Sequence, residues 1–216
     1  RRLFADDAAQ GFAFIDVCRK RYDVVVMNPP FGRRSEPSSD YFDKYYGSFK
    51  SDMGLAFVDG FSRRLAEGGQ LGALTSRTFL AGGSFAEWRR DVVLSSRPIK
   101  VLLDLGIGVL DDALVETCAY VVQHQSIEHG WFLRALEATD KGTSIDKYFS
   151  RNGNGQGTKA FVTPLTTMRD LPTSIMAYWL PADVASTVTK ARTLEGIQAA
   201  TKHGVQTTDD FQFMRL

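Results

Sequence analysis

The segment Tyr22–Gly32, YDVVVMNPPFG, decides the fold of this 216-residue chain. Its first part, Asp23–Met27, is a short apolar run rich in valine, which is typical of a central parallel strand covered on both faces. The two prolines that follow cannot donate to a strand ladder, so the strand must end there. Asn28 precedes a proline and is therefore kept out of the helical region. We expect a stiff turn just past the carboxyl end of a central strand, where open α/β sheets bind ligands.

The turn Asn28-Pro29-Pro30-Phe31 carries groups that suit an amino group on an aromatic base. The Asn28 side chain offers a carbonyl oxygen, and the backbone carbonyl of Pro29 can point the same way. Two acceptors match one exocyclic amino group, which has two N–H bonds. Phe31 offers a flat face for a base, and such stacking is worth about 1–3 kcal/mol. The competing interpretation is an ordinary Pro-Pro turn that closes a core strand.

This turn resembles the (N/D/S)PP(Y/F) motif of amino-methyltransferases, in the NPPF form typical of adenine-specific enzymes. The order of the following segments is similar to that of gamma-type adenine methylases in large restriction–modification and BREX-type phage-defence proteins. The resemblance implies a Rossmann-like α/β fold with a mostly parallel sheet and an antiparallel last strand. It implies S-adenosylmethionine as methyl donor and a target adenine flipped out of double-stranded DNA. It also implies catalytic roles for Asn28, Pro29, Pro30 and Phe31, with Asn28 contacting the cofactor as well.

The resemblance further predicts how the chain is organised. Residues 1–125 would be the C-terminal part of the methyltransferase catalytic domain, and residues 126–216 an extension and linker towards a target-recognition domain. The terminal segment GVQTTDDFQFMRL is similar to the entry into that recognition region. The main cofactor loop is then expected upstream of residue 1, so this chain alone is expected to be inactive.

The resemblance also names the partners and the compartment of such a protein. The expected partners are double-stranded DNA, the rest of the same polypeptide, and subunits of a restriction or defence system. No apolar run is long enough for a membrane span, so no membrane partner is expected. The predicted location is the cytoplasm of a bacterium or archaeon.

The segment before the NPPF strand predicts a β-α-β unit. Arg2–Ala5 is predicted as a strand with Asp6 at its carboxyl end, and Ala8–Lys20 has apolar residues at helical spacing. In the family, an acidic residue at the end of such a strand contacts the adenine of the cofactor, and Asp6 is the candidate for that role. An equally weighted alternative is that Asp7 caps the helix.

The segments after the motif alternate between polar, helical and strand patterns. Arg33–Phe49 is predicted as a polar loop whose aromatic residues favour packing over base stacking. Ser51–Glu67 is predicted as an amphipathic helix that Gly68 and Gly69 end. Further elements are predicted at Gln70–Thr75 (strand), about Ser84 to Leu94 (helix), Ile99–Leu105 (strand), Thr117–Gln123 (antiparallel strand), Trp131–Leu136 (strand) and Ala182–Leu194 (helix).

A second candidate cofactor loop lies at Leu103–Gly108, LDLGIG. It resembles the D-x-G-x-G loop that binds S-adenosylmethionine, and it would make the chain a permuted methylase. Such a loop should open a helix and lead to a strand that ends in an acidic residue. Val109–Val122 leads instead to Gln123-His124-Gln125, which favours the first arrangement. The residue at Leu110 is aliphatic where some relatives carry a second stacking aromatic.

Composition weighs against several other functions. The net charge of +1 gives no strong basic bias for a free-standing nucleic-acid binder, and the arginine pairs Arg63-Arg64 and Arg89-Arg90 are interpreted mainly as solvated faces. Cys18 and Cys118 indicate a reducing compartment without a disulfide framework. His124 and His129, without nearby cysteines, are a poor metal signature, so no metal is expected. The alternative function is a non-catalytic scaffold or DNA-handling module derived from a methylase.

Overall fold

The structure is a computed structural model that describes residues 2–32, 35–49, 52–110, 115–150 and 157–191. Its centre is a six-stranded sheet. The strands are β1 (Tyr22–Met27), β2 (Leu65–Ser76), β3 (Ile99–Gly106), β4 (Thr117–Gln123), β5 (His129–Arg134) and β6 (Lys159–Pro164). Their spatial order is β1-β2-β4-β3-β5-β6.

The sheet is mixed, which corrects the expectation of a mostly parallel sheet with only its last strand antiparallel. Strands β1, β2, β3 and β5 run in one direction, and β4 and β6 run in the other. The antiparallel β4 lies in the middle of the sheet, between β2 and β3. The α/β class is confirmed, and the predicted antiparallel pairing of Thr117–Gln123 with the preceding strand is confirmed as well.

The helices lie between and after these strands. They are α1 (Arg2–Arg19), α2 (Ser39–Tyr45), α3 (Met53–Ser62), α4 (Ala86–Trp88), α5 (Lys141–Phe149), α6 (Leu165–Asp170) and α7 (Ala182–Lys190). Helix α4 continues directly as a π-helix, Arg89–Ser96. Short 3₁₀ turns occur at Glu36–Ser38, Gly47–Phe49, Arg77–Leu80, Gly83–Phe85 and Pro172–Ser174.

The amino-terminal strand prediction was wrong. Helix α1 begins at Arg2, so Arg2–Ala5 is helical and Asp6 lies inside a helix instead of at the end of a strand. Asp7 is also interior to α1, so it does not cap it. The physical reason is that no Gly or Pro separates this segment from the alanine-rich run that follows, so the helix continues through Asp6 and Asp7. The predicted helix at Ala8–Lys20 is confirmed as the rest of α1.

Strand β1 forms where it was predicted, but its two faces are not both covered. It pairs only with β2 among the described residues. Val24 is 67% exposed and Val26 is 82% exposed. The apolar sequence predicted a strand correctly, but the prediction of a buried central position was wrong for this chain because no described segment lies along the outer edge of β1.

Two boundaries after the motif also differ from the predictions. The polar segment 35–49 contains α2 and two 3₁₀ turns where a loop was expected. Helix α3 ends at Ser62, and β2 begins before Gly68 and Gly69 instead of after them. Gly68 has a φ of +74°, and a Cβ on Gly69 would lie 2.8 Å from the Tyr22 carbonyl oxygen. The two glycines therefore allow β2 to bend and approach β1 closely, which they do inside a strand.

The core joins both halves of the chain. Its fully buried side chains include Leu55, Leu71, Trp88, Leu102, Phe132, Met168 and Met176. Strands β5 and β6 extend the same sheet beyond residue 125, while the division at that residue stays a prediction. The predicted strands at Gln70–Thr75, Ile99–Leu105 and Trp131–Leu136 and the helical stretches near Ser84–Leu94 and Ala182–Leu194 are confirmed in substance. The terminal segment 204–216 lies outside the described residues.

Arg89 corrects the interpretation of the arginine pairs as solvated. Its side chain is fully buried, and burial lowers the pKa of its guanidinium. It donates to the carbonyl oxygens of Phe79 (2.6 Å), Gly82 (2.7 Å) and Thr173 (2.7 Å). Arg89 therefore links the turn after β2 to the segment that follows α6 by hydrogen bonds.

Candidate functional site

The NPPF turn lies at the carboxyl end of β1, as the sequence predicted. The strand ends at Met27. Asn28 and Pro30 are exposed, Pro29 is buried and Phe31 is half-buried. Because β1 and β2 are parallel, their carboxyl ends meet at the same edge of the sheet, and the turn lies beside the end of β2.

Phe31 lines a cavity of about 540 Å³ at this edge. A volume of that size lies in the range of small-molecule and cofactor sites. The lining residues are Phe31, Gly32, Asp52, Ser76, Thr78, Ser84, Phe85 and Val115. A tighter cleft beside it brings Pro29 and Pro30 against Asp52, Gly54 and Thr75.

Asn28 lies beside a different space from the cavity that Phe31 lines. It borders an apolar groove of about 480 Å³ on the uncovered face of the sheet, next to Val26, Gly72 and Leu74. Pro29, Pro30 and Phe31 thus share the tight cleft, Phe31 alone of the three also lines the larger cavity, and Asn28 lies at the border of the separate apolar groove.

The first turn of α3 lies against the NPPF turn at one border of the cavity. Met53 donates its backbone N–H to the Gly32 carbonyl oxygen at 3.1 Å. A Cβ on Gly54 would lie 3.7 Å from Cγ of Pro29, so a small residue at the start of α3 lets the helix approach the turn. The rigid proline turn and the helix start therefore hold each other in place.

Asp52 is a site residue that the sequence analysis missed. Its Oδ1 accepts the backbone N–H of Leu55 at 3.0 Å and caps α3. Burial raises the pKa of the Asp52 carboxyl, and the N–H groups of Leu55 and Gly54 partly oppose this shift. The only sequence signal was an aspartate just inside the predicted start of a helix, which indicates a cap and gives no information on the cavity.

Ser76 and Thr78 line the same cavity as Phe31, and both were missed as well. Ser76 ends β2, and its Oγ lies 2.6 Å from Oγ1 of Thr78. The backbone N–H of Thr78 donates to the Ser76 hydroxyl at 3.2 Å. The available signal was the run Thr-Ser-Arg-Thr directly after a predicted parallel strand, because neighbouring parallel strands end at the same edge.

The candidate loop at Leu103–Gly108 is not a cofactor loop. Asp104 is fully buried, and both of its oxygens are occupied: Arg77 donates to them at 2.6 and 2.9 Å. The Tyr178 hydroxyl donates to Oδ2 at 2.7 Å. No helix opens within the described residues 107–110, and the next described strand, β4, runs antiparallel. The carboxylate that would have held the cofactor holds protein groups instead.

Asp6, the other predicted cofactor contact, lies near the beginning of α1. Its side chain lies outside the described part of the chain, as do Arg33 and Arg34 next to the motif. Its contact with the cofactor therefore stays a prediction, without the strand end from which it was inferred.

The aromatic residues that follow the motif pack against one another. The rings of Tyr41 and Tyr45 are 4.7 Å apart, and those of Phe42 and Tyr46 are 5.1 Å apart. Phe49 continues this contact to Trp88 in the core, at 6.1 Å. Within 35–49, packing is the observed role of these side chains, in agreement with the interpretation favoured from the sequence.

Two kinds of feature, a metal-ligating cluster and a membrane-spanning helix, are absent from the described residues. Among the described residues there is no group of three or more His, Cys, Asp and Glu side chains that could hold a metal ion. No described helix combines the length and apolar character that crossing a membrane requires.

Comparison with known proteins places these observations in a family context. Residues 4–108 match the family model described as Eco57I restriction-modification methylase. The chain is 25% identical over 167 residues to the adenine-specific methyltransferase PglX of Lacticaseibacillus casei, a match that covers 74% of this chain and 14% of PglX. It is also 25% identical over 101 residues to a putative type II restriction enzyme and methyltransferase of Methanocaldococcus jannaschii, covering 47% of this chain and 8% of that protein. The chain thus spans about one seventh of the PglX relative and less of the other.

Solved structures share the fold. A modification subunit of a putative type I restriction enzyme from Vibrio vulnificus superimposes with a TM-score of 0.53 at 14% identity, over 69% of this chain and 35% of that protein. The methyltransferase subunit of a type I restriction-modification system from Streptococcus thermophilus gives 0.54 at 15% identity, over 72% and 37%. The resemblance to restriction–modification methyltransferases, drawn first from the NPPF turn, is confirmed by the family match and these relatives.

Proposed function

We propose that this chain carries the target-base side of a site-specific DNA adenine-N6 methyltransferase, present here as the C-terminal part of its catalytic domain. The observation that carries the proposal is the NPPF turn itself. It sits at the carboxyl end of β1, with Pro29 buried against the start of α3 and Phe31 lining a cavity of about 540 Å³. An adenine flipped out of double-stranded DNA, at a cost of a few kcal/mol, would enter that cavity.

The residues of the turn would divide the work on the base. Phe31 would hold the adenine by its face inside the cavity, and the base would extend towards the border of the adjoining groove, where Asn28 lies. There the Asn28 side-chain oxygen and the Pro29 carbonyl would accept the two N–H bonds of the N6 amino group. Positive charge grows on this nitrogen as it attacks the methyl group, and the two acceptors stabilise that charge. The same contacts fix the direction of attack. Pro30 keeps the turn stiff, so that the acceptors need little reorganisation.

S-adenosylmethionine supplies the methyl group in this proposal. The described residues fit only one border of its site: Asn28 is exposed beside the uncovered groove and the free edge of β1. The Asp104 loop does not fit, because its carboxylate is fully engaged by Arg77 and Tyr178. The main cofactor loop is therefore assigned to another part of the full-length protein, and the chain alone is expected to be inactive.

The free edge of β1 supports the assignment of this chain to a longer protein. An edge strand with exposed valines, no proline and a single charge, Asp23 near its beginning, leaves most of its length open to pairing with another strand. The exposed fractions of Val24 and Val26, 67% and 82%, are high for apolar strand residues. We assign this edge and the adjoining groove to the rest of the same polypeptide, with restriction or defence-system subunits as further partners.

The alternative is a non-catalytic scaffold or DNA-handling module derived from a methylase. The scaffold is favoured by the incomplete cofactor site, whereas the net charge of +1 gives no strong basic bias for a DNA-handling module. The two functions differ in what they require of Asn28, because only the catalytic function needs its side-chain oxygen.

The test is Asn28→Ala in the full-length protein, assayed for adenine methylation of DNA. We expect a loss of about 100-fold or more in rate with an unchanged melting temperature, since a preorganised acceptor of the transition-state charge is removed. Gln125→Ala is the matched control, because it removes an exposed amide beyond β4, at the opposite edge of the sheet. Activity of Asn28→Ala within a few-fold of wild type would reject the proposed role.

A further inference from the structure

Arg77 lies between two residues of the cavity wall but points away from the cavity. Ser76 and Thr78, on either side of it, line the space beside Phe31. The Arg77 guanidinium instead donates to both oxygens of Asp104, from Nε at 2.6 Å and from Nη2 at 2.9 Å. The Asp104 side chain is fully buried and that of Arg77 is 21% exposed. A bidentate pair has one favourable geometry, so it fixes the position of the Ser76–Thr78 turn.

The same arginine also holds a second part of the cavity wall. Its Nη1 donates to Oε2 of Glu116 at 3.1 Å, and its backbone N–H donates to the Glu116 carbonyl oxygen at 3.0 Å. The neighbouring Val115 lines the cavity. Two wall segments that are about forty residues apart in sequence therefore converge on one guanidinium. The hydrogen bonds and charge of Asp104, and after them those of Glu116, raise the pKa of Arg77.

Tyr178 brings the C-terminal segment into this cluster. Its hydroxyl donates to Oδ2 of Asp104 at 2.7 Å, and the pKa of that hydroxyl is raised by burial and by the Asp104 charge. The Tyr178 ring stacks on Phe132 with centroids 4.8 Å apart, and Thr163 Oγ1 donates to the Tyr178 carbonyl at 2.8 Å. Tyr178, far beyond position 125, therefore helps to fix the position of the Asp104 carboxylate, and that carboxylate in turn fixes the cavity wall through Arg77.

Stability alone is a weak reason for such a cluster. A buried ion pair often contributes no more than apolar residues of the same volume would, because desolvation offsets the attraction. What it does provide is a defined geometry at the residues attached to it. Here those residues are Ser76, Thr78 and Val115, which line the cavity together with Phe31.

We infer that Arg77, Asp104 and Tyr178 form a positioning clamp that fixes part of the wall of the target-base cavity that Phe31 also lines. The inference rests on the proposed function. The three residues act through Ser76, Thr78 and Val115 and do not touch the base or the cofactor. A displacement of that wall by about 1 Å can cost about 100-fold in rate, and it should act on the target base without altering the cofactor site.

The experiment measures kcat and the KM values for DNA and for S-adenosylmethionine in the full-length protein. Arg77→Lys keeps the charge but loses the two-pronged geometry, and we expect kcat/KM for DNA to fall about 10- to 100-fold while KM for S-adenosylmethionine stays within twofold. The matched control is Arg90→Lys. Arg90 makes the same bidentate pair with Asp91, at 2.8 and 3.0 Å, but on an exposed face and apart from the cavity; we expect it to retain wild-type kinetics.

Tyr178→Phe keeps the test decisive even if Arg77→Lys fails to fold, because it removes only one hydroxyl. We expect a fall of about 3- to 10-fold in kcat/KM for DNA, measured well below its melting temperature. Wild-type kinetics in Tyr178→Phe, or equal losses for DNA and S-adenosylmethionine, would overturn the clamp and leave the proposed function standing. A wild-type protein that methylates no adenine would overturn the proposed function and the clamp together.

Discussion

Strands β1 and β3 have similar apolar sequences and opposite surroundings. β3 lies between β4 and β5, and its residues Ile99, Leu102 and Asp104 are fully buried. β1 has β2 as its only partner among the described residues, and Val26 is 82% exposed. Yet the motif that predicts the chemistry follows β1, the less protected strand.

The difference distinguishes the part of the sheet that is stabilised by packing within this chain from the part that is left open to another segment or molecule. The region around β3 has one fully buried face, a satisfied buried carboxylate and anchors from the C-terminal segment, while Val101 and Leu103 on its other face border the same groove as Val26. The region around β1 offers a rigid turn beside an uncovered face. The buried core of the chain therefore lies around β3, and the candidate site lies at the end of β1, beside the exposed part of the sheet.

The largest expected contrast is in stability. Leu102→Ala, in the buried strand, should lower the free energy of unfolding by about 2–5 kcal/mol through lost burial and a residual cavity. Val26→Ala, in the exposed strand, should cost less than about 1 kcal/mol. Urea denaturation of both variants measures the contrast. Similar losses at the two positions would mean that β1 is buried in solution.

A medium effect is expected at the border itself, on the affinity for the target base. Phe31→Ala should weaken capture of the target adenine by about 1–3 kcal/mol, the value of one stacked base. Binding of S-adenosylmethionine should change less, and titration of each ligand to the full-length protein compares the two. Phe61→Ala, at a ring on α3 that does not line the cavity, is the control. Equal losses for both ligands would contradict a stacking role.

The smallest effect concerns Asp52, whose carboxyl lies at the border of the cavity. Its raised pKa means that the folded chain binds this proton more tightly than the unfolded chain does. Its contribution to stability is therefore full below its ordinary pKa of 3.8 and is lost as the pH rises through the raised value. Asn caps helices as well as Asp, so Asp52→Asn should gain stability relative to wild type, by less than about 1 kcal/mol, as the pH rises from 4 to 7. Urea denaturation across this range measures it. A difference that does not change with pH would contradict the role given to burial.

The sequence predicted the parts of the fold and site that depend on local pattern. The prolines ended β1 where expected, and the apolar runs at Gln70–Thr75 and Ile99–Leu105 became strands. Features that depend on contacts between segments far apart in sequence could not be predicted from it. The antiparallel position of β4 in the middle of the sheet, the exposure of Val26 and the burial of Arg89 all depend on which segments become neighbours.

The same limit applies at the site. The Asp104 loop had the local pattern of a cofactor loop, which the sequence after it already disfavoured, and its partners Arg77 and Tyr178 and the antiparallel β4 now exclude that role. Asp52 and Thr78 had no motif of their own, because their importance comes from lining the same cavity as Phe31. Residues that act through position in space, without a fixed spacing in sequence, are the ones that the sequence analysis missed.

The central claim is that the NPPF turn receives an adenine whose N6 nitrogen is methylated. The most direct measurement incubates the full-length protein with DNA and methyl-labelled S-adenosylmethionine and identifies the labelled nucleoside by mass spectrometry after digestion. We predict that the label appears on N6-methyladenine and disappears in Asn28→Ala. Label on a cytosine derivative, or label on N6-methyladenine that persists in Asn28→Ala, would contradict the account.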